Sequence, residues 1–235
     1  MRVLCASILG LLLVVPSVRA QEPDSAAQPP PVLHRFLPTA DAPPVAYRAI
    51  RRMTARAGDR WGSLTARTSF DPSTGFTYEI LDEQGSGLIR SKVLRAALEA
   101  ERSAKQSAQR ARAALTPANY EFDNATEAGD GLQRVRIRPR RKEPMMIEGS
   151  ILLKTADADL VRVEGVLVKR PSFWTRRVEV TRDYARIAGA RVPVLMTSVA
   201  DVLFVGRSTF EMRYEYESIN GQPVTAPTSA SIFTK

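Results

Sequence analysis

The residues that could do chemistry in this chain are carboxylates, arginines and aromatic rings, because histidine and cysteine are nearly absent. There is one histidine, His34, and one cysteine, Cys5. Histidine is the commonest metal ligand and the commonest general base near neutral pH. A single copy cannot build a two-histidine metal site. A Ser-His-Asp triad through His34 would want a Gly-x-Ser-x-Gly elbow, and the sequence has none. What remains for His34 is a solvated position on a short helix. Paired acids such as Glu143/Glu148 and Glu164/Glu179 keep a carboxylate-dependent hydrolase of envelope glycans open, since glycosidases need two carboxyl groups at the right separation. With 25 acidic residues in the chain, such pairs also arise by chance. The expectation is a protein without catalytic residues, metal or cofactor.

Compartment narrows the ligands. Met1-Arg2 is followed by the apolar run Val3–Val15 and by Pro16-Ser17-Val18-Arg19-Ala20, with small or short residues before Gln21. Charge, apolar stretch and small-residue site are the layout of a secretory signal peptide. The run is too short for a membrane-spanning helix of about 20 residues. The sequence therefore predicts export to the periplasm or beyond, with cleavage near Ala20/Gln21 and no transmembrane segment in the mature chain. Cys5 falls inside the signal and precedes the apolar run, so neither a disulfide nor a lipid-attachment cysteine is expected.

Three stretches are candidate binding features in an exported chain. Arg134, Arg136 and Arg138 alternate with Val135 and Ile137, and Arg140, Arg141 and Lys142 follow, making a basic stripe on one strand face. Such a stripe suits phosphates of nucleic acid or of anionic lipid. Export and the lack of interleaved aromatics argue against nucleic acid, leaving anionic envelope lipid or a simply solvated face. Phe173 and Trp174, followed by Arg176 and Arg177, form either a lipid-facing rim with cations for a headgroup or a hairpin anchored by buried rings. Phe210, Met212, Tyr214 and Tyr216 share one strand face and, with Met196 and Phe204, are candidates to line an acyl-binding cavity. Ordinary core packing would look the same.

The elements that must position these residues are mostly strands. Gln21–Pro31 is a polar, Pro-rich tether, and Val32–Leu37 a short amphipathic helix stopped by prolines. From Val45 the period is two. It changes between Ile89 and Leu115, where Gly and Pro are absent and Ile89, Val93, Ala97, Ala100, Ala104, Ala108, Ala111 and Leu115 recur at helical spacing. One long helix with a small-residue buried stripe is predicted there. Strand patterns resume over Met145–Leu153, Leu160–Lys169, Arg176–Ile187, Val192–Val205 and Arg207–Glu217, with turns at Asp157-Ala-Asp159, Ala188-Gly189 and Asn220-Gly221. The predicted class is α+β, mainly β: a curved antiparallel sheet forming an incomplete barrel over residues 45–219, with one long inserted helix, a short N-terminal helix and a C-terminal strand or tail over 220–235. A strongly twisted sheet of eight or more strands tends to curl.

Several stretches resemble the LolA/LolB superfamily, and more narrowly an uncharacterised bacterial outer-membrane lipoprotein-sorting-like family. They are Tyr47-Arg48-Ala49-Ile50-Arg51-Arg52, Gly85-Ser86-Gly87-Leu88-Ile89-Arg90 leading into Val93-Leu94, and Pro171-Ser172-Phe173-Trp174-Thr175-Arg176-Arg177-Val178-Glu179. The resemblance implies a half-barrel closed by helices, with an apolar cavity for acyl chains. It implies, as partners, lipid or lipoprotein acyl chains rather than nucleic acid. Two non-enzymatic readings follow: a periplasmic carrier with a hollow interior, or an envelope scaffold with a filled core and a basic docking face.

Overall fold

The structure is a computed structural model describing residues 31–39, 45–103, 112–170, 175–203 and 206–225. The signal-peptide and tether assignments, the rim residues Phe173 and Trp174, the cavity candidate Phe204, and the end of the C-terminal tail fall outside the described residues.

Alternation of apolar and polar residues produces long strands, and short turns fold them back on themselves. β1 (Tyr47–Ala57), β2 (Arg60–Asp71) and β3 (Gly75–Gly85) form a first meander. The remaining strands are β4 (Tyr120–Phe122), β5 (Thr126–Glu127), β6 (Leu132–Pro139), β7 (Ile147–Lys154), β8 (Leu160–Leu167), β9 (Thr175–Ile187), β10 (Ala190–Val202), β11 (Gly206–Ile219) and β12 (Gln222–Pro223). They join one curved, unclosed, 12-stranded antiparallel sheet in the order β3-β2-β1-β11-β10-β9-β8-β7-β6-β4, with β5 on β6 and β12 on β11. The return of β11 to pair with β1 joins strands far apart in the chain. The β9–β10 hairpin turns at Ala188 and Gly189, whose φ angles of 47° and 78° fit the type I′ turn that matches strand twist.

A bend is built in where Gly149 of β7 faces Gly165 of β8. A Cβ on either would collide with the backbone of the opposing strand, at Glu164 O and Glu148 O respectively. Paired glycines let the two backbones close up and the sheet fold inward.

The inserted helix differs from its prediction in length and in face. It is α-helical over Gly87–Ile89, π-helical over Arg90–Arg95 and α-helical again over Ala96–Arg102. Ser103 is extended, with φ −69° and ψ 135°, so the helix stops there and does not run unbroken to Leu115. The predicted stripe at Ala104, Ala108 and Ala111 lies outside the described residues. A π-turn adds a residue to the local repeat. The buried face is accordingly centred on Ile89, Leu94 and Leu98, with the predicted Val93 and Ala97 half-buried against the same core and Ala100 exposed. Strand β7 begins at Ile147, two residues later than predicted, because Met145 has left-handed backbone with φ 68°.

Two apolar clusters divide the concave face. Helix α1 (Val32–Phe36) covers one, pressing Val32 and Phe36 onto residues of β4 and β6–β9 such as Tyr120, Ile137, Ile151 and Val180. The inserted helix covers the other, packing Ile89, Leu94 and Leu98 onto β1, β2 and β11. Met196 of β10 packs against both clusters.

Candidate ligand site

Register places one residue from each of eight consecutive strands, β2 to β6 in sheet order, in a row across the concave face. The row runs Leu64, Met53, Met212, Met196, Arg182, Val163, Ile151, Val135. Seven are apolar and one is a cation. Beside Arg182 the interior opens into a cavity of about 320 Å³ between the start of β7, the end of β8, and β9–β10. Met145, Ile147, Leu167, Val180 and Met196 form its apolar wall, and Lys169, Arg170 and Arg182 are the charged groups on it.

Arg182 is half-buried and directs Nη2 towards Met196 Sδ at 3.9 Å, with the Tyr184 phenol as its other close neighbour. Lys169 and Arg170 are exposed. A polar hollow of about 210 Å³ lies elsewhere, among Arg48, Asp71, Thr74 and Ser218. Asp71 there is held below the usual carboxylate range by hydrogen bonds from Ser73, and the residues around the hollow include no second acid.

The face of β11 is packed rather than open. Met212, Tyr214 and Tyr216 are buried in the second cluster, and Phe210 packs against it half-buried. The space in front of them is taken by Arg51 of β1, only 1% exposed, whose guanidinium lies 4.8 Å from the ring centres of both Phe76 and Tyr214. Arg51 also donates to the Tyr47 hydroxyl at 2.5 Å and to both carboxylate oxygens of Glu101. Burial pushes the Tyr47 phenol up to about 12, and it raises those of Tyr214 and Tyr216 as well. Of the five described side chains proposed from sequence to line a cavity, Met196 is the one that lines this one.

The basic stripe lies on the outer face and is largely matched by neighbouring acids and an amide. Arg134 pairs with Glu164, Arg138 with Asp123 at 2.7 Å, Arg140 with Glu121 at 3.2 Å, and Arg141 bonds Asn119 at 2.6 Å. Arg136 and Lys142 are exposed and form no ion pair among the described residues. Arg176 and Arg177 open β9, both exposed, with Arg177 on Glu179 at 3.0 Å. Glu148, Glu164 and Glu179 stand on the outer face too, away from the cavity. No group of three His, Cys, Asp or Glu positioned to hold a metal ion occurs among the described residues.

Sequence reasoning missed Arg182, Lys169, Arg170 and most of the apolar wall. A signal for Arg182 existed: in β9 the alternation Val178, Val180, Arg182, Tyr184 puts a charge on the apolar side. Arg51 breaks the run Ala49, Arg51, Met53, Ala55 in the same way.

No family model matches the chain, and no curated protein matches it. Among solved structures it is similar to a LolA superfamily protein from Nitrosomonas europaea, at 11% identity over 87% of this chain and 96% of that chain, with a TM-score of 0.37.

Proposed function

We propose that this chain is an exported, non-enzymatic binding protein that holds an acyl chain, of a lipid or of a lipidated protein, in the cavity between β7 and β10. The observation that carries the reading is the cavity itself: an apolar wall on the concave side of a curved sheet, at the lower end of the volumes that hold small molecules. Two of its walls are methionines, Met145 and Met196, whose unbranched thioether chains adapt to flexible apolar ligands. The signal-like pattern over Met1–Ala20 supports a periplasmic location. No helix among the described residues is long and apolar enough to cross a membrane.

A scaffold with a filled core is the second reading, and the packing of Arg51, Tyr214 and Tyr216 under β11 favours it for that half of the sheet. Its basic docking face would rest on Arg136 and Lys142, since the other arginines of the stripe are bonded to their neighbours. Native mass spectrometry on protein purified from its own envelope separates the two. Bound species with lipid masses are expected. Their consistent absence, together with no uptake of a fluorescent acyl probe, would overturn the carrier reading.

A further inference from the structure

We infer that the ligand of this cavity is an anionic amphiphile whose carboxylate or phosphate is taken by Arg182; the inference rests on the acyl-binding reading and adds the chemistry of the head. Its ground is a contrast among the arginines drawn out of solvent. Arg51 has Glu101 at 2.5 Å, Arg162 has Asp183 at 2.5 Å, Arg90 has Glu83 at 3.7 Å and Arg191 has Asp159 at 3.8 Å, while Arg35 donates to the backbone carbonyls of Thr155 and Ala156. Arg182 forms no ion pair with any acid among the described residues. Its close partners are a phenol and a thioether, both neutral. Glu101 acts on it only through space, its two oxygens being engaged by Arg51.

A cation withdrawn from water without a counter-charge or acceptors is costly, and the other buried or half-buried arginines show how this fold relieves that cost, four with an acid and one with two backbone carbonyls. At Arg182 no acid among the described residues stands on the side that faces the cavity. A guanidinium is also the right group for the task, because its planar fork accepts carboxylate or phosphate through two parallel hydrogen bonds and is weakly hydrated. Lys169 and Arg170, exposed on the same cavity and without an ion-pair partner among the described residues, add positive potential where a headgroup would meet solvent. An apolar wall with cations and no acid is complementary to an anion carried on a hydrocarbon chain.

The test varies the head and holds the chain constant. Dodecanoate, dodecyl phosphate and dodecanol compete with a fluorescent acyl ester of neutral head for the full exported chain, its Arg182→Met variant and its Arg182→Lys variant. The two anions are expected to displace the probe on the order of tenfold more strongly than the alcohol, as a charge-assisted hydrogen-bonded contact would give. Arg182→Met should erase that difference while leaving dodecanol unchanged, and Arg182→Lys should restore part of it. A preference for the carboxylate identifies fatty acids as the source of the anion, and a preference for the phosphate identifies a phospholipid head. Equal displacement by all three compounds overturns the inference and leaves the acyl-binding reading standing. Failure of the neutral probe and of every competitor to bind sinks both. The unsubstituted protein decides the matter even if Arg182→Met does not fold.

Discussion

Arg51 and Glu101 lie 50 positions apart in the chain and meet in the interior, Nη1 donating to Oε2 at 2.5 Å and Nη2 to Oε1 at 3.1 Å. The pair fastens the C-terminal end of the inserted helix to β1, beneath the packed apolar cluster of β1, β2 and β11. The flanking rings of Phe76 and Tyr214 complete the seat for the cation. Glu101 reaches it because the π-turn rotates Leu94, Leu98 and Glu101 onto the buried side.

Breaking this pair from one end leaves a buried charge unmatched. Glu101→Gln should destabilise the protein by about 3 kcal/mol, at the lower end for a buried pair because Glu101 keeps some contact with solvent. Arg51→Met combined with Glu101→Gln should lose clearly less than the two single changes added together. Urea unfolding of the four proteins measures this, and simple additivity would show that the pair does not act as a unit.

Alkali should loosen the same region. Burial raises the Tyr47 phenol from its ordinary 10 to about 12, so the folded state keeps a proton that the unfolded chain releases. The stabilisation is complete below pH 10 and disappears as pH climbs from 10 to 12, amounting to about 3 kcal/mol. Tyr47→Phe should flatten this part of the stability profile. Phenolate absorbance followed alongside unfolding provides the check, and an unchanged slope in the variant would count against Tyr47 as its source.

The facing glycines of β7 and β8 are predicted to tolerate no side chain. Gly149→Ala and Gly165→Ala should each cost about 2 kcal/mol or more, since an added methyl meets backbone rather than a movable side-chain end. Thermal unfolding reads the loss. Gly75→Ala offers a comparison: an added Cβ there meets nothing within 4 Å, although φ of 80° makes the position strained for alanine. A smaller loss at Gly75 would separate steric contact from backbone strain.

Filling the cavity should separate binding from folding. Met196→Trp puts a larger ring into the opening, and acyl-probe binding is expected to fall at least tenfold while the unfolding temperature stays within a few degrees. Titration of the probe against both proteins decides it. Undiminished binding by a folded Met196→Trp protein would place the ligand elsewhere.

Strand content was readable because a period of two survives in isolation: Arg207–Glu217, Leu160–Lys169 and the Ala188-Gly189 turn all fall within a few residues of their observed positions. The helix was readable as a helix but not in its face. An α-period puts Val93, Ala97 and Ala100 inward, whereas the π-turn sends Leu94, Leu98 and Glu101 there, and nothing in the residue types marks a π-turn. The cavity was harder still. Its walls come from four separate strands and from the left-handed Met145, and the apolar face of β11 looks the same whether it lines a void or packs against Arg51.

Alternation and turn chemistry are local properties, so the chain by itself determined an antiparallel, strand-rich fold and, through its near lack of histidine and cysteine, a narrow set of chemistries. Pairing of β11 with β1, the face shown by the inserted helix and the place where packing stops short are long-range outcomes. Only the tertiary structure could decide that the filled half lies under Tyr214 and the open half beside Arg182, because each is set by what arrives from distant sequence to occupy the concave side.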